Sequence, residues 1–192
     1  MTDTAVRPIQ NRLGISTKTA VTVIAGAAMM TLAAKVQIPF WPVPMTLHTM
    51  AVMGFAVAFG PRIAVSIFLT YLAAGAAGLP VFSGSPERGI GLAYMAGPTG
   101  GYLIGYLVAS WLVGVLARGR GMLGRACAML AGLAAIYAIG AAWLAAYIFP
   151  ASQIFAVGVM PFLLGDLLKI GVVTAGSLLL PRMNALLQGE RQ

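Results

Sequence analysis

The sequence predicts an all-α integral membrane protein of six transmembrane helices, with both termini on the cytoplasmic side. Three observations carry this. Of the 192 residues, 60% are hydrophobic, and the mean hydropathy is +0.92. Only 8% are charged, against about 25% in a soluble domain, which is too few to cover a water-facing surface. The same hydrophobicity excludes a disordered chain. Finally, the charges cut the chain into apolar segments, and the cations gather on one side of them. A spanning helix needs about 20 mostly apolar residues, so the length admits roughly five to seven spans and leaves no room for a soluble domain.

Residues 1–18 are polar and carry Arg7, Arg12 and Lys18, which predicts a cytoplasmic segment. No apolar core followed by a small-residue cleavage site comes early enough for a removable signal peptide. Helix one runs from Thr19 to Ala34 and ends at Lys35. Pro39, Pro42 and Pro44 follow within six residues, and prolines so spaced cannot continue a helix. IPFWPVP is therefore a non-helical loop, with helix two at Met45–Phe59. Gly60-Pro61 predicts a turn, and helix three is Ile63–Ala77, closed by Gly78 and Pro80. After the loop VFSGSPERGIG, helix four is Gly97–Ala117 and helix five Ala126–Phe149. Helix six is Phe155–Leu180, stopped by Pro181. The transmembrane domain thus spans 19–182, and 183–192 form a cytoplasmic tail.

An even number of spans places both ends on one side, together with Arg7, Arg12, Lys18, Arg62, Arg118, Arg120, Arg125, Arg182 and Arg191. Lys35 and Arg88 fall on the other side, and Lys169 lies inside helix six. That bias predicts the orientation. It also gives the net charge of +8 a membrane explanation rather than a nucleic-acid partner. Helix four carries Gly97, Gly101, Gly105 and Ala109 at four-residue spacing, a stripe that lets helix backbones approach closely; internal packing is the first reading and a partner protein the second.

Ionisable groups inside a span are costly, about 3 kcal/mol each for Asp or Lys at a helix centre. Helix six carries two, Asp166 and Lys169, whose i,i+3 spacing puts them on one face within reach of each other. They either neutralise each other and tie helices together, or wall a polar cavity for a ligand with hydrogen-bond donors and a negative group. Arg88 sits in the Gly/Ser-rich loop SGSPERGIG, paired with solvated Glu87 or holding a carboxylate through two parallel hydrogen bonds. Phe40 and Trp41 either anchor at the membrane interface or wall an apolar pocket. Tyr94 and Tyr102 offer hydroxyls or serve as belt residues. His48, the only histidine, starts a helix, where a lone histidine is more often structural than functional.

Several classes are excluded. There is no GxxxxGK[ST] for ATP, no HExxH, and too few His, Cys, Asp or Glu for a metal site. Cys127 is alone, so there is no internal disulfide. A Ser–His or Cys–His nucleophile would have only His48 and no acid nearby to orient it, so no enzyme is expected.

The strings KVQIPFWPVPMTLHT, AGLPVFSG with Arg88, GPTGGYLIGY and LLGDLLK occur in this order. Together they resemble the BioY family, the biotin-binding S components of energy-coupling factor (ECF) transporters, over about residues 19–182. The resemblance implies an S-component-like helical bundle in the bacterial cytoplasmic membrane that captures biotin with high affinity from the outer side. It implies a transmembrane coupling (T) subunit and two ABC ATPases as partners, with ATP used by them, and no cofactor in this chain. A solitary, oligomeric biotin carrier is the alternative. The ureido N–H groups of biotin suit Asp166, and its carboxylate suits Arg88 and Lys169. Trp41, Tyr94 and the glycines Gly97, Gly100 and Gly101 are expected to admit the rings, with Thr46 and Ser83 as further hydrogen-bonding groups. One departure stands: S components of this type pack an A-x-x-x-A face of helix one on the coupling subunit, whereas here only Thr22/Gly26 and Ala27/Thr31 approach that pattern.

Overall fold

In an apolar solvent, backbone N–H and C=O groups have no partner but each other, so long uncharged runs fold as helices. The computed structural model describes residues 17–38, 43–147 and 151–179. In chain order they form α1 (Thr17–Lys35), β1 (Gln37–Ile38), β2 (Met45–Thr46), α2 (His48–Ala76), α3 (Gly91–Met95), α4 (Gly100–Leu116), α5 (Met122–Tyr147), α6 (Ala151–Gly158) and α7 (Met160–Gly176). Among the described residues four segments are long and apolar enough to cross a membrane: Thr17–Lys35, His48–Ala76, Met122–Ala146 and Ser152–Gly176.

The second of these is not one rod. Gly60 breaks α2 with φ 76° and ψ 179°, and Pro61 follows it. The rings of His48 and Tyr71 lie 5.3 Å apart. A continuous helix would separate them by about 34 Å, so the chain reverses at Gly60 into antiparallel legs 48–59 and 61–76, where the sequence predicts a turn.

α4 packs most extensively on α5 and α2. Its small residues explain the close approach. A side chain at Gly105 would strike the backbone of Ile136, one at Gly101 the side chain of Trp143, and one at Gly114 the backbone of Pro61. The outward faces are apolar: Leu164, Leu168 and Val172 of α7 are exposed, whereas Phe162, Asp166, Ile170 and Thr174 on its other side are buried. A helix that turns leucines outward and an aspartate inward is built for lipid.

Several boundaries differ from expectation. Met45 and Thr46 pair as a strand with Ile38 and Gln37, so the leg starts at His48. Gly97–Thr99 form a turn, and helix four starts at Gly100. Within the loop after α2, Gly91–Met95 make one short helix. The last segment breaks at Val159 (φ −126°, ψ −55°), between α6 and α7. Pro161 is the cause: it has no N–H and its ring collides with the preceding turn. The Gly158 carbonyl at the break accepts a hydrogen bond from the Tyr102 hydroxyl at 2.7 Å, so the interruption leaves that oxygen satisfied.

A Cβ at Gly60 or at Gly54 would meet nothing within 4 Å. Only Gly60 has a backbone geometry nearly restricted to glycine, which costs other residues about 1–3 kcal/mol. Gly60→Ala is therefore expected to lower the unfolding temperature of the detergent-purified protein, whereas Gly54→Ala leaves it unchanged or raises it slightly. Equal effects would contradict the reversal at Gly60.

Candidate functional site

α7 carries Asp166 and Lys169 on the face it turns to the bundle. The Lys169 ammonium lies 2.8 Å from Asp166 Oδ1, and it also donates to the Thr46 carbonyl at 2.6 Å. The other carboxylate oxygen, Oδ2, accepts from the Tyr137 hydroxyl of α5 at 2.8 Å. Both oxygens of a buried carboxylate are thus occupied, as the cost of burying a charge demands. The pair joins α7, α5 and the strand β2.

A cleft opens beside it. One half is lined by Met45, Thr46, Thr49, Ile136, Tyr137, Phe162, Asp166 and Lys169. The other half is lined by His48, Ser83, Tyr94, Thr99 and Leu103. Val43, Pro44, Thr46, Tyr102 and Tyr106 line both, so the halves adjoin. The first half is ionic. The second is neutral and rich in hydroxyls.

The loop after α2 roofs the neutral half. Lys35, at the end of α1, donates to the Phe82 carbonyl at 3.1 Å, the Ser85 carbonyl at 2.8 Å and the Ser85 hydroxyl at 3.1 Å. Ser83 donates to the side chain of Gln37. Phe82 stacks on Tyr94 with ring centroids 4.7 Å apart. Burial holds the Tyr94 phenol above its ordinary pKa, opposed by a hydrogen bond with Thr99 and by the charge of Arg88.

The structure sorts the sequence-predicted residues as follows. Asp166, Lys169 and Thr46 meet in the ionic half, while Ser83, Tyr94 and again Thr46 meet in the neutral half. Arg88 lines neither half. It lies exposed on the loop, folded over Gly84, with its charge felt at Tyr94. Gly97, Gly100 and Gly101 also line neither half. The Gly97 carbonyl accepts from the Trp143 indole at 3.0 Å. The space beside these glycines is filled by the protein itself, by local backbone at Gly97 and Gly100 and by Trp143 at Gly101, and leaves no gap for a ring. Trp41 and Phe40 lie outside the described residues. Nothing in the sequence marks Tyr137, Tyr106, Thr99 or Lys35 as site residues. A tyrosine on an apolar helix looks the same whether it faces lipid or a carboxylate, and only its partner distinguishes the two. Among the described residues no cluster of His, Cys, Asp and Glu could hold a metal.

An apolar-faced bundle with a cleft, charged at one end and neutral at the other, defines a multi-pass membrane protein. The chain belongs to the BioY family, whose family model matches residues 5–188. A protein of Pyrococcus horikoshii called a probable biotin transporter BioY is 36% identical over 142 residues, covering 74% of this chain and 83% of that one. The biotin transporter BioY of Thermotoga maritima is 34% identical over 157 residues, covering 81% and 91%. The crystal structure of the S-component for biotin from an ECF-type ABC transporter shares the fold. Its TM-score is 0.75 at 24% identity, over 88% of this chain and 91% of that one.

Removing one partner of a buried ion pair strands the other and costs about 3–5 kcal/mol, whereas replacing both with apolar groups costs far less. Lys169→Met is therefore expected to destabilise the purified protein more than the double variant Asp166→Leu/Lys169→Met. Thermal unfolding in detergent measures both, and a double variant at least as unstable as the single would contradict a buried, mutually dependent pair.

Proposed function

We propose that the chain captures biotin and delivers it across the membrane as the substrate-binding S subunit of an ECF-type transporter. The single observation that carries the reading is the Asp166–Lys169 pair, an acceptor and a donor 2.8 Å apart in the ionic half of the cleft. A urea group presents N–H donors beside a carbonyl oxygen. Asp166 accepts from the ureido N–H, and Lys169 donates to the ureido oxygen. Lys169 goes to the ring rather than to the carboxylate, because its ammonium is held between Asp166 and Thr46. The bicyclic ring and alkyl chain lie against Phe162, Tyr102 and Tyr106, and the carboxylate reaches the neutral half, where Arg88 on the roof loop supplies positive charge. The biotin transporters to which the chain is similar support biotin as the ligand.

The six crossings of this reading are α1, the two legs of α2, α4, α5, and α6 with α7 taken together, with both termini on the cytoplasmic side of the bacterial cytoplasmic membrane. The sequence has no phosphate-binding loop of its own. Work is therefore supplied from outside the chain, by a transmembrane coupling subunit and two ABC ATPases.

The purified protein is expected to retain labelled biotin, with desthiobiotin competing and lipoate, which lacks the ureido ring, failing to compete. Asp166→Asn and Lys169→Ala should each weaken retention by more than about tenfold, the scale for a lost charged contact in a desolvated site. Unchanged affinity in both variants removes this assignment. For the topology, a reporter fused to the C-terminus should be active only when it works in the cytoplasm, and activity confined to the outside overturns the orientation.

A further inference from the structure

His48 begins α2 at the wall of the neutral half of the cleft and is 4% exposed. Its ring is wedged between Tyr71 and Tyr106, with centroids 5.3 and 5.4 Å away. Among the described residues only two buried side-chain polar atoms lack a hydrogen-bond partner, His48 Nε2 and Thr174 Oγ1, and Thr174 lines neither half of the cleft. The other polar groups around His48 each have at least one partner. Ser83 donates to Gln37, Tyr94 bonds Thr99, Tyr106 lies 3.5 Å from the Thr49 hydroxyl, and the Thr46 hydroxyl accepts from the His48 backbone N–H at 3.2 Å. A buried nitrogen without a partner is costly, and packing between two phenol rings does not require a nitrogen at all. A phenylalanine would fill that slot without the penalty.

We infer that His48 is a ligand-binding residue that recognises the acid end of the substrate: with its proton on Nε2, the imidazole donates to a carboxylate oxygen lodged in the neutral half. This rests on the biotin reading and deepens it. The ionic half takes the ring, so the carboxylate falls at the other end, in the positive field of Arg88, where each remaining hydroxyl already has one partner. His48 selects for a free acid.

The test compares biotin with biotinol, in which an alcohol replaces the carboxylate, on the detergent-purified full chain. His48→Phe keeps the ring packing and removes the donor, while His48→Gln restores a donor. His48→Phe should weaken biotin binding about tenfold and biotinol binding less than about twofold, the spread expected of distant, uncoupled groups, with His48→Gln recovering most of the lost biotin affinity. Equal losses for both ligands, including those of a misfolded variant that His48→Gln does not rescue, or no loss for either, overturn the assignment. If the wild-type chain retains no biotin, the functional reading falls and this inference with it. If it retains biotin but His48→Phe fails to discriminate, only the role of His48 falls.

Discussion

A carboxylate and an ammonium buried together in an apolar bundle constrain everything around them. Neither Asp166 nor Lys169 can be left bare, since an unpaired ion away from water is far more costly than any packing defect nearby. Their partners are therefore fixed. Tyr137 comes from α5 to one carboxylate oxygen, Lys169 takes the other, and the strand β2 lends the Thr46 carbonyl to the ammonium. Three elements distant in sequence must meet at one point. The ionic half of the cleft lies beside that point.

The rest of the bundle makes that meeting possible by giving up side chains elsewhere. α4 lies close to α5 because Gly101 and Gly105 carry nothing to hold the helices apart, and it lies against the reversal of α2 because Gly114 leaves room for Pro61. That proximity sets Tyr102 and Tyr106 along the floor of the cleft. It also lets the Tyr102 hydroxyl reach the carbonyl exposed where Val159 breaks the last segment. Interiors pack too tightly for such approaches to be incidental.

What could be read from sequence follows from cost. Asp166 and Lys169 stand out because charge inside an apolar helix needs a reason, and the spacing alone says that they face the same way. Pro44 and Gly60-Pro61 are legible because those residues restrict the backbone wherever they occur. Other features carry no such mark. Gly100 and Gly101 read equally as room for a ligand and as room for Trp143, since an absent side chain does not say what fills its place. Tyr137 and Lys35 take their roles from partners 29 to 50 residues away. Two-residue strands such as Met45–Thr46 are too short to show any alternation. Pro161 bears the same signal as the earlier prolines, yet its effect, a break at Val159 that hydrogen bonding repairs, depends on a hydroxyl from another helix.

The fastening of the roof loop has a consequence for the medium in which it works. Lys35 holds that loop through two carbonyls and a hydroxyl, all uncharged. Dissolved ions weaken attraction between two opposite exposed charges within a few ångströms to a nanometre, but a cation gripped by short-range dipoles offers them little to screen. The cover over the neutral half is accordingly held about as firmly in brine as in fresh water.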